Sequence, residues 1–241
     1  MNKFGRIQRL VGLCAAAAVA ASFATAAPQT GSAKVTSVKG NVTIGGQTAT
    51  PGSVGGPGSV IVTGGASEVV LDLGVNGPVA KVMELSSVSI DDLTFDTSGS
   101  EPVISTKFTV NKGKIEGNVK KTSSQSSYIV KTQTATASIR GTTFTVWEDG
   151  TVYVWVGVVD VTYRDPKTGR EVKYTVSAGQ YFDVKLVEVR DIPPGTEQPS
   201  IVVVNQSVQP AAGPVIFVSP TGSSGSSAQP TGGGAAAAGR K

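Results

Sequence analysis

No histidine occurs in this 241-residue chain, and the single cysteine, Cys14, sits in an apolar N-terminal stretch. Histidine is the side chain whose charge changes most readily near neutral pH and the commonest metal ligand. Acid–base chemistry would therefore have to fall on carboxylates, and zinc, which takes His and Cys donors, has no donor set. One cysteine also excludes an internal disulfide, so stability must come from burial and backbone pairing. Charge is sparse, with 21 basic and 17 acidic residues, and aromatic residues make up only 6%. Setting aside Lys3, Arg6 and Arg9, which precede the apolar stretch, leaves 18 basic against 17 acidic residues; without Arg240 and Lys241 the balance is 16 to 17. No basic surplus remains to attract nucleic acid.

Residues 1–26 read as an export signal: the three cations, the apolar run Leu10–Phe23, then Ala24-Thr25-Ala26 as a small-residue cleavage pattern. The run falls short of the roughly 20 apolar residues a membrane span needs, so no transmembrane helix is expected to be retained. The expected location is outside the cytosol, in the periplasm or cell envelope, with secretion as the alternative. A short leader (27–33) precedes a Val- and Thr-rich body (34–192). Beyond it lies a Pro-, Gly-, Ser- and Ala-rich tail (193–241) too poor in apolar residues to fold. The tail contains two β-prone islands, 201–204 and 214–218, expected to dock on the body's own sheet edge or to add a strand to a partner.

What the chain has in abundance is glycine, 30 residues, set between short β-prone runs with no sustained helical period. Runs 34–46, 59–73 and 107–119 each break at glycine (Gly40, Gly64-Gly65 and Gly113), which predicts paired short strands meeting at corners. "TFTVWEDGTVYVWVGVVDV" (143–161) predicts a hairpin turning at Asp149-Gly150, and 159–176 predicts a second with a longer loop. In 151–161 apolar side chains fall on both faces, so this strand is expected to be central and covered. The fold class is all-β: one domain of short strands in a roll, solenoid-like or sandwich arrangement, with a disordered C-terminal tail. No fixed repeat period is apparent.

"YIVKTQTATASIRGTTFTV" (128–146), "VWVGVVDV" (154–161) and "YTVSAGQYFDV" (174–184) together resemble the core of the FecR-type domain, the periplasmic part of ferric citrate regulators. Val130 and Thr132 lead into Arg140-Gly141-Thr142; Gly157-Val158 and Ala178-Gly179-Gln180 follow in the family's order. "VKGNVTI" and "GSVIVTGGASEVVLDL" fit its opening. The resemblance implies a periplasmic all-β module. Regulators of the family carry a cytosolic anti-sigma segment and a membrane helix ahead of the β domain. With residues 1–26 read as a signal, the resemblance implies a stand-alone exported member. Arg140, Gly141, Thr142, Gly157 and Gly179 are then expected to be structural. Arg140 is read as a bracket for loop carbonyls or a nearby carboxylate, with a clamp on a ligand's carboxylate or phosphate as the alternative.

Catalytic candidates are few. Asp91 and Asp92 are strand neighbours and are expected to point to opposite faces, which would prevent joint action on one bond. Asp72, Glu84, Glu148 and Asp149 read as turn formers and surface charges. Trp147, Tyr153 and Trp155 are expected in the core, with an aromatic platform for a sugar ring as the alternative. The functional expectation is a non-catalytic envelope module without cofactor or metal that binds a protein partner. The alternatives are a glycan- or polysaccharide-binding module and a periplasmic component of a sigma/anti-sigma system.

Overall fold

The computed structural model describes residues 27–77, 79–199 and 201, all within the first of the two units into which the chain divides. The signal-like segment and all of the tail islands except Ile201 lie outside the described residues. Seventeen strands follow in chain order. They are β1 (Gln29–Thr30), β2 (Ala33–Lys39), β3 (Val42–Ile44), β4 (Gln47–Thr48), β5 (Val54–Gly55), β6 (Val60–Thr63), β7 (Glu68–Asp72), β8 (Val79–Val82) and β9 (Ser87–Asp96). Then come β10 (Val103–Lys112), β11 (Lys114–Asn118), β12 (Ser127–Lys131), β13 (Ala135–Trp147), β14 (Val152–Arg164), β15 (Glu171–Ser177), β16 (Gln180–Asp183) and β17 (Glu188–Asp191). One 3-10 turn, Gly74–Asn76, is the only helical element among the described residues. The leader is not separate from the body, because Gln29 and Thr30 pair with Phe95 and Thr94.

Two half-sheets are built from the same ribbons. Half-sheet I contains β3, β6, β9, β10, β12, the first part of β13, the second part of β14, and β15. Half-sheet II contains β2, β7, β8, β11, the remaining parts of β13 and β14, β16 and β17. The long β13–β14 hairpin belongs to both. It is interrupted by bulges near Gly141 (φ 67°) and Gly157 (φ 86°), left-handed positions that glycine occupies without Cβ strain. Beyond them the hairpin folds back, and Thr134 Oγ1 donates to the Asp149 carbonyl at 2.7 Å. The half-sheets thus face each other across one core. Tyr128 of half-sheet I meets Phe144 of half-sheet II edge-on at 6.0 Å, and Phe182 of half-sheet II lies 4.9 Å from Tyr174 and 5.8 Å from Tyr163. Phe108, Phe144 and Phe182 are fully buried.

Each predicted glycine break is a crossing between half-sheets, and the crossings stack in a column. Gly64 N–H donates to the Asn41 carbonyl (2.9 Å), Leu85 N–H to Gly64 (3.0 Å), Met83 N–H to Lys114 (3.2 Å) and Glu148 N–H to Gly113 (2.8 Å). The column has an internal geometric repeat. Gly40 (φ 73°) lies against Ser67, whose hydroxyl accepts Asn41 N–H at 2.9 Å; Gly113 (φ 73°) lies against Ser86, whose hydroxyl accepts Lys114 N–H at 3.0 Å. Each serine follows a left-handed residue, Ala66 (φ 51°) or Leu85 (φ 53°). Carboxylates complete the pattern: Glu84 accepts Ala66 N–H at 2.7 Å and Glu148 accepts Gly113 N–H at 2.6 Å.

The Asp149-Gly150 hairpin forms with a three-residue loop. Trp147 N–H donates to Thr151 and Gly150 N–H to Trp147, with Gly150 alone left-handed (φ 98°). A tight turn closed by a left-handed glycine matches the twist of the strands.

Candidate functional site

Alternation along β13, β14 and β16 decides which side chains face outward on half-sheet II. Val146, Val152, Val154 and Phe182 point into the core, which sends Thr145, Trp147, Tyr153, Trp155 and Tyr181 to the outer face. The expectation of core packing for Trp147, Tyr153 and Trp155 is therefore corrected: all three are half-buried on the outside. An apolar residue at every position of 152–156 hid which face was inner. β14 is central, being paired on both edges, but its outer face is not covered: Val156 is 58% and Val158 47% exposed.

The rings form a ladder. Tyr153 lies between Trp147 (centroids 4.7 Å apart) and Tyr181 (4.6 Å, stacked), with Trp155 at 5.9 Å. Trp155 Nε1 donates to Thr145 Oγ1 at 3.2 Å, holding its ring across the strand. Lys114 Nζ sits 5.6 Å from the Trp147 ring centroid, a cation–π distance. Desolvation by this packing, more than the nearby Tyr181, Asp183 and Asp149, raises the Tyr153 phenol above its ordinary range.

Beside the ladder on the same face runs a strip of paired charges. One register row passes through Lys81, Glu116, Thr145, Tyr153, Tyr181 and Arg190. Lys81 pairs with Glu68 at 3.1 Å, and Lys114 with Glu116 at 3.5 Å. Lys81 and Glu116 are both buried although they stand on an outer face. Burial raises the Glu116 carboxyl above the usual glutamate range, outweighing attraction to Lys114 and Lys81. A raised carboxyl binds its proton more tightly folded than unfolded, so it adds stability as pH falls through the folded value toward the unfolded one. Wild type should therefore gain on Glu116→Gln as pH falls from 7 to 4.5, the ordinary glutamate value. Urea midpoints of the two proteins at these pH values check this, and a constant difference between them would count against it.

The carboxylates read as turn formers hold turns. Asp72 accepts Gly74 N–H at 2.9 Å and Asp149 accepts Thr151 N–H at 2.9 Å, alongside Glu84 and Glu148 in the column. Asp91 and Asp92 differ from expectation. A bulge sets Lys107 opposite Asp92 and Phe108 opposite Ile90, leaving Asp91 extra. Both carboxylates accordingly reach the outer face of half-sheet I, accepting hydroxyls from Thr109 and Ser105 at 2.6 Å each. A bulge depends on the partner strand's register and leaves no mark in the local pattern. Among the described residues no three His, Cys, Asp or Glu side chains gather to hold a metal ion.

Arg140 is not the bracket that was expected. Its side chain is exposed and, among the described residues, makes no hydrogen bond or ion pair. The structural part of its motif lies in the next two residues. Gly141 approaches Lys121 so closely that a Cβ would stand 3.2 Å from the Lys121 Cα, and buried Thr142 receives Val119 N–H at its carbonyl (2.9 Å). Gly157 packs over Thr142, and Gly179 (φ 81°) turns β15 into β16, donating its N–H to Val154.

These features define a rolled all-β module with glycine crossings and an aromatic outer face. Residues 59–160 match the family model described as FecR protein, the family that the Arg-Gly-Thr block and its flanks resemble. The match runs from β6 into β14 and includes Arg140, Gly141, Thr142 and Gly157, but not Gly179. Comparison with curated proteins gives no match. Two crystal structures of a candidate anti-sigma factor from Parabacteroides distasonis are similar at 16% identity and a TM-score of 0.39. The alignment covers 55% of this chain and 58% of that one. Among the described residues no helix is long and apolar enough to cross a membrane.

Proposed function

We propose that the protein is a non-catalytic, exported FecR-domain protein that binds a protein partner in the cell envelope, as a component of sigma/anti-sigma signalling. The aromatic ladder carries the reading. Trp and Tyr side chains held rigid, half-buried and beside paired charges are the composition of an interaction hot spot. The FecR match supports a regulatory setting. A glycan platform would need ring faces open to a sugar, whereas Tyr153 is flanked by Trp147 and Tyr181 and Trp147 carries Lys114. The geometry thus favours a protein over a glycan.

Capture from envelope extract with wild type and with Trp155→Ala/Tyr181→Ala tests the proposal. A partner held by wild type should be lost from the double variant, each ring contributing about 2 kcal/mol or more. Identical protein lists, or retention of wild type on purified cell-wall glycan instead, would overturn it.

A further inference from the structure

Away from the ladder residues, a groove runs between the 98–103 and 121–125 segments. Its first part, about 470 Å³, is lined by Arg140, Lys121, Glu101, the Thr122, Ser123 and Ser124 hydroxyl residues, and an apolar floor of Val75, Pro102 and Ile104. A second part of about 340 Å³ shares Glu101, Ser123 and Ser124 with the first and continues to Asp96. The groove thus holds Arg140 and Lys121 in its first part, Asp96 in its second and Glu101 in both. Its walls are tied together: Ser126 Oγ accepts Ile104 N–H at 3.1 Å and lies 2.9 Å from Ser123 Oγ.

Two features single out the cationic end. Arg140 and Lys121 are placed side by side by the close approach of Gly141 to the Lys121 backbone, and among the described residues neither forms an ion pair. The body carries no cationic surplus to explain this as a general surface property, since it holds 16 basic against 17 acidic residues once the ends are set aside. A planar guanidinium and an ammonium converging on one pocket, with hydroxyls beside them, suit a carboxylate.

We infer that this groove binds an extended acidic segment of a protein, its carboxylates held by Arg140 and Lys121 and its backbone lying along Ser123 and Ser124. The inference rests on the protein-binding reading and gives it a second, chemically defined surface. Asp96, which lines only the second part, disfavours acidic residues there and so orients the segment.

The test is titration of the purified protein with N-acetyl hexaglutamate, followed by amide chemical shifts, with hexaglutamine and inorganic phosphate as parallel arms. Hexaglutamate should shift residues 121–125 and 140, and Arg140→Gln should weaken binding at least fivefold. Lys39→Gln, the same charge change on an exposed residue of half-sheet II, should leave it within twofold. Equal weakening by both substitutions, shifts spread over distant lysines, or phosphate alone moving 121–125 and 140 would overturn the inference. An unchanged thermal midpoint for Arg140→Gln excludes unfolding as the cause. Because the probe is a defined peptide and the ladder is untouched, failure here leaves the envelope capture experiment standing, and failure of that capture leaves this one standing.

Discussion

Replacing Phe144 by alanine is expected to destabilise the protein by about 3–5 kcal/mol, the range for removing a large aromatic side chain from a packed core. In a body of this size that corresponds to a fall in thermal midpoint of roughly 6–20 °C. The size follows from position: Phe144 is fully buried, meets Tyr128 of the opposite half-sheet edge-on, and covers Gly117. A Cβ on Gly117 would stand 2.6 Å from Phe144 Cε1 and nearer still to Cζ, so Gly117→Ala is damaging only because the ring is there. Its cost should shrink in a Phe144→Leu background, a non-additivity that reports direct contact. A loss below about 1 kcal/mol for Phe144→Ala would mean that this ring does not join the two half-sheets.

Gly157→Ala should be the second large effect, about 2–5 kcal/mol. A left-handed φ of 86° costs an L-residue about 1–2 kcal/mol. The added methyl would also stand 2.7 Å from Thr142 Cγ2 and 3.2 Å from Thr142 Cα, and such overpacking costs about 1–3 kcal/mol more. Gly179→Ala supplies the comparison, since its φ is 81° but nothing lies within 4 Å of the new atom. Chemical denaturation should show Gly157→Ala as clearly the worse of the two. Equal losses would show that backbone conformation alone matters and that the crossing is not tightly packed.

The contrast between these glycines marks what the sequence reveals. Breaks at Gly40, Gly64-Gly65 and Gly113 and the turn at Asp149-Gly150 are local events, legible because glycine interrupts β-prone runs at each. The Arg-Gly-Thr block likewise pointed to the family whose model matches residues 59–160. Facts that depend on a distant strand were not legible. The bulge that turns Asp91 and Asp92 to one face is set by β10, and the outward placement of Trp147, Tyr153 and Trp155 is set by which side Phe144 and Phe182 fill. Lys81 and Glu116 become buried only when β8 and β11 pair. The serine-cushioned crossing escaped notice because its parts recur in opposite chain order: Ser67 comes 27 residues after Gly40, whereas Ser86 comes 27 residues before Gly113.

That column of crossings also governs how the chain tolerates changes of length. Each level passes its hydrogen bonds only to the level beside it, so a whole ribbon with its glycine and serine is the natural unit of insertion or deletion. A single added residue inside a strand would instead swap the inward and outward sides of everything up to the next crossing. Length variation is cheap in the hairpin connection at 165–170, where Asp165 closes the loop on itself by accepting Lys167 N–H at 2.8 Å and no other level depends on it.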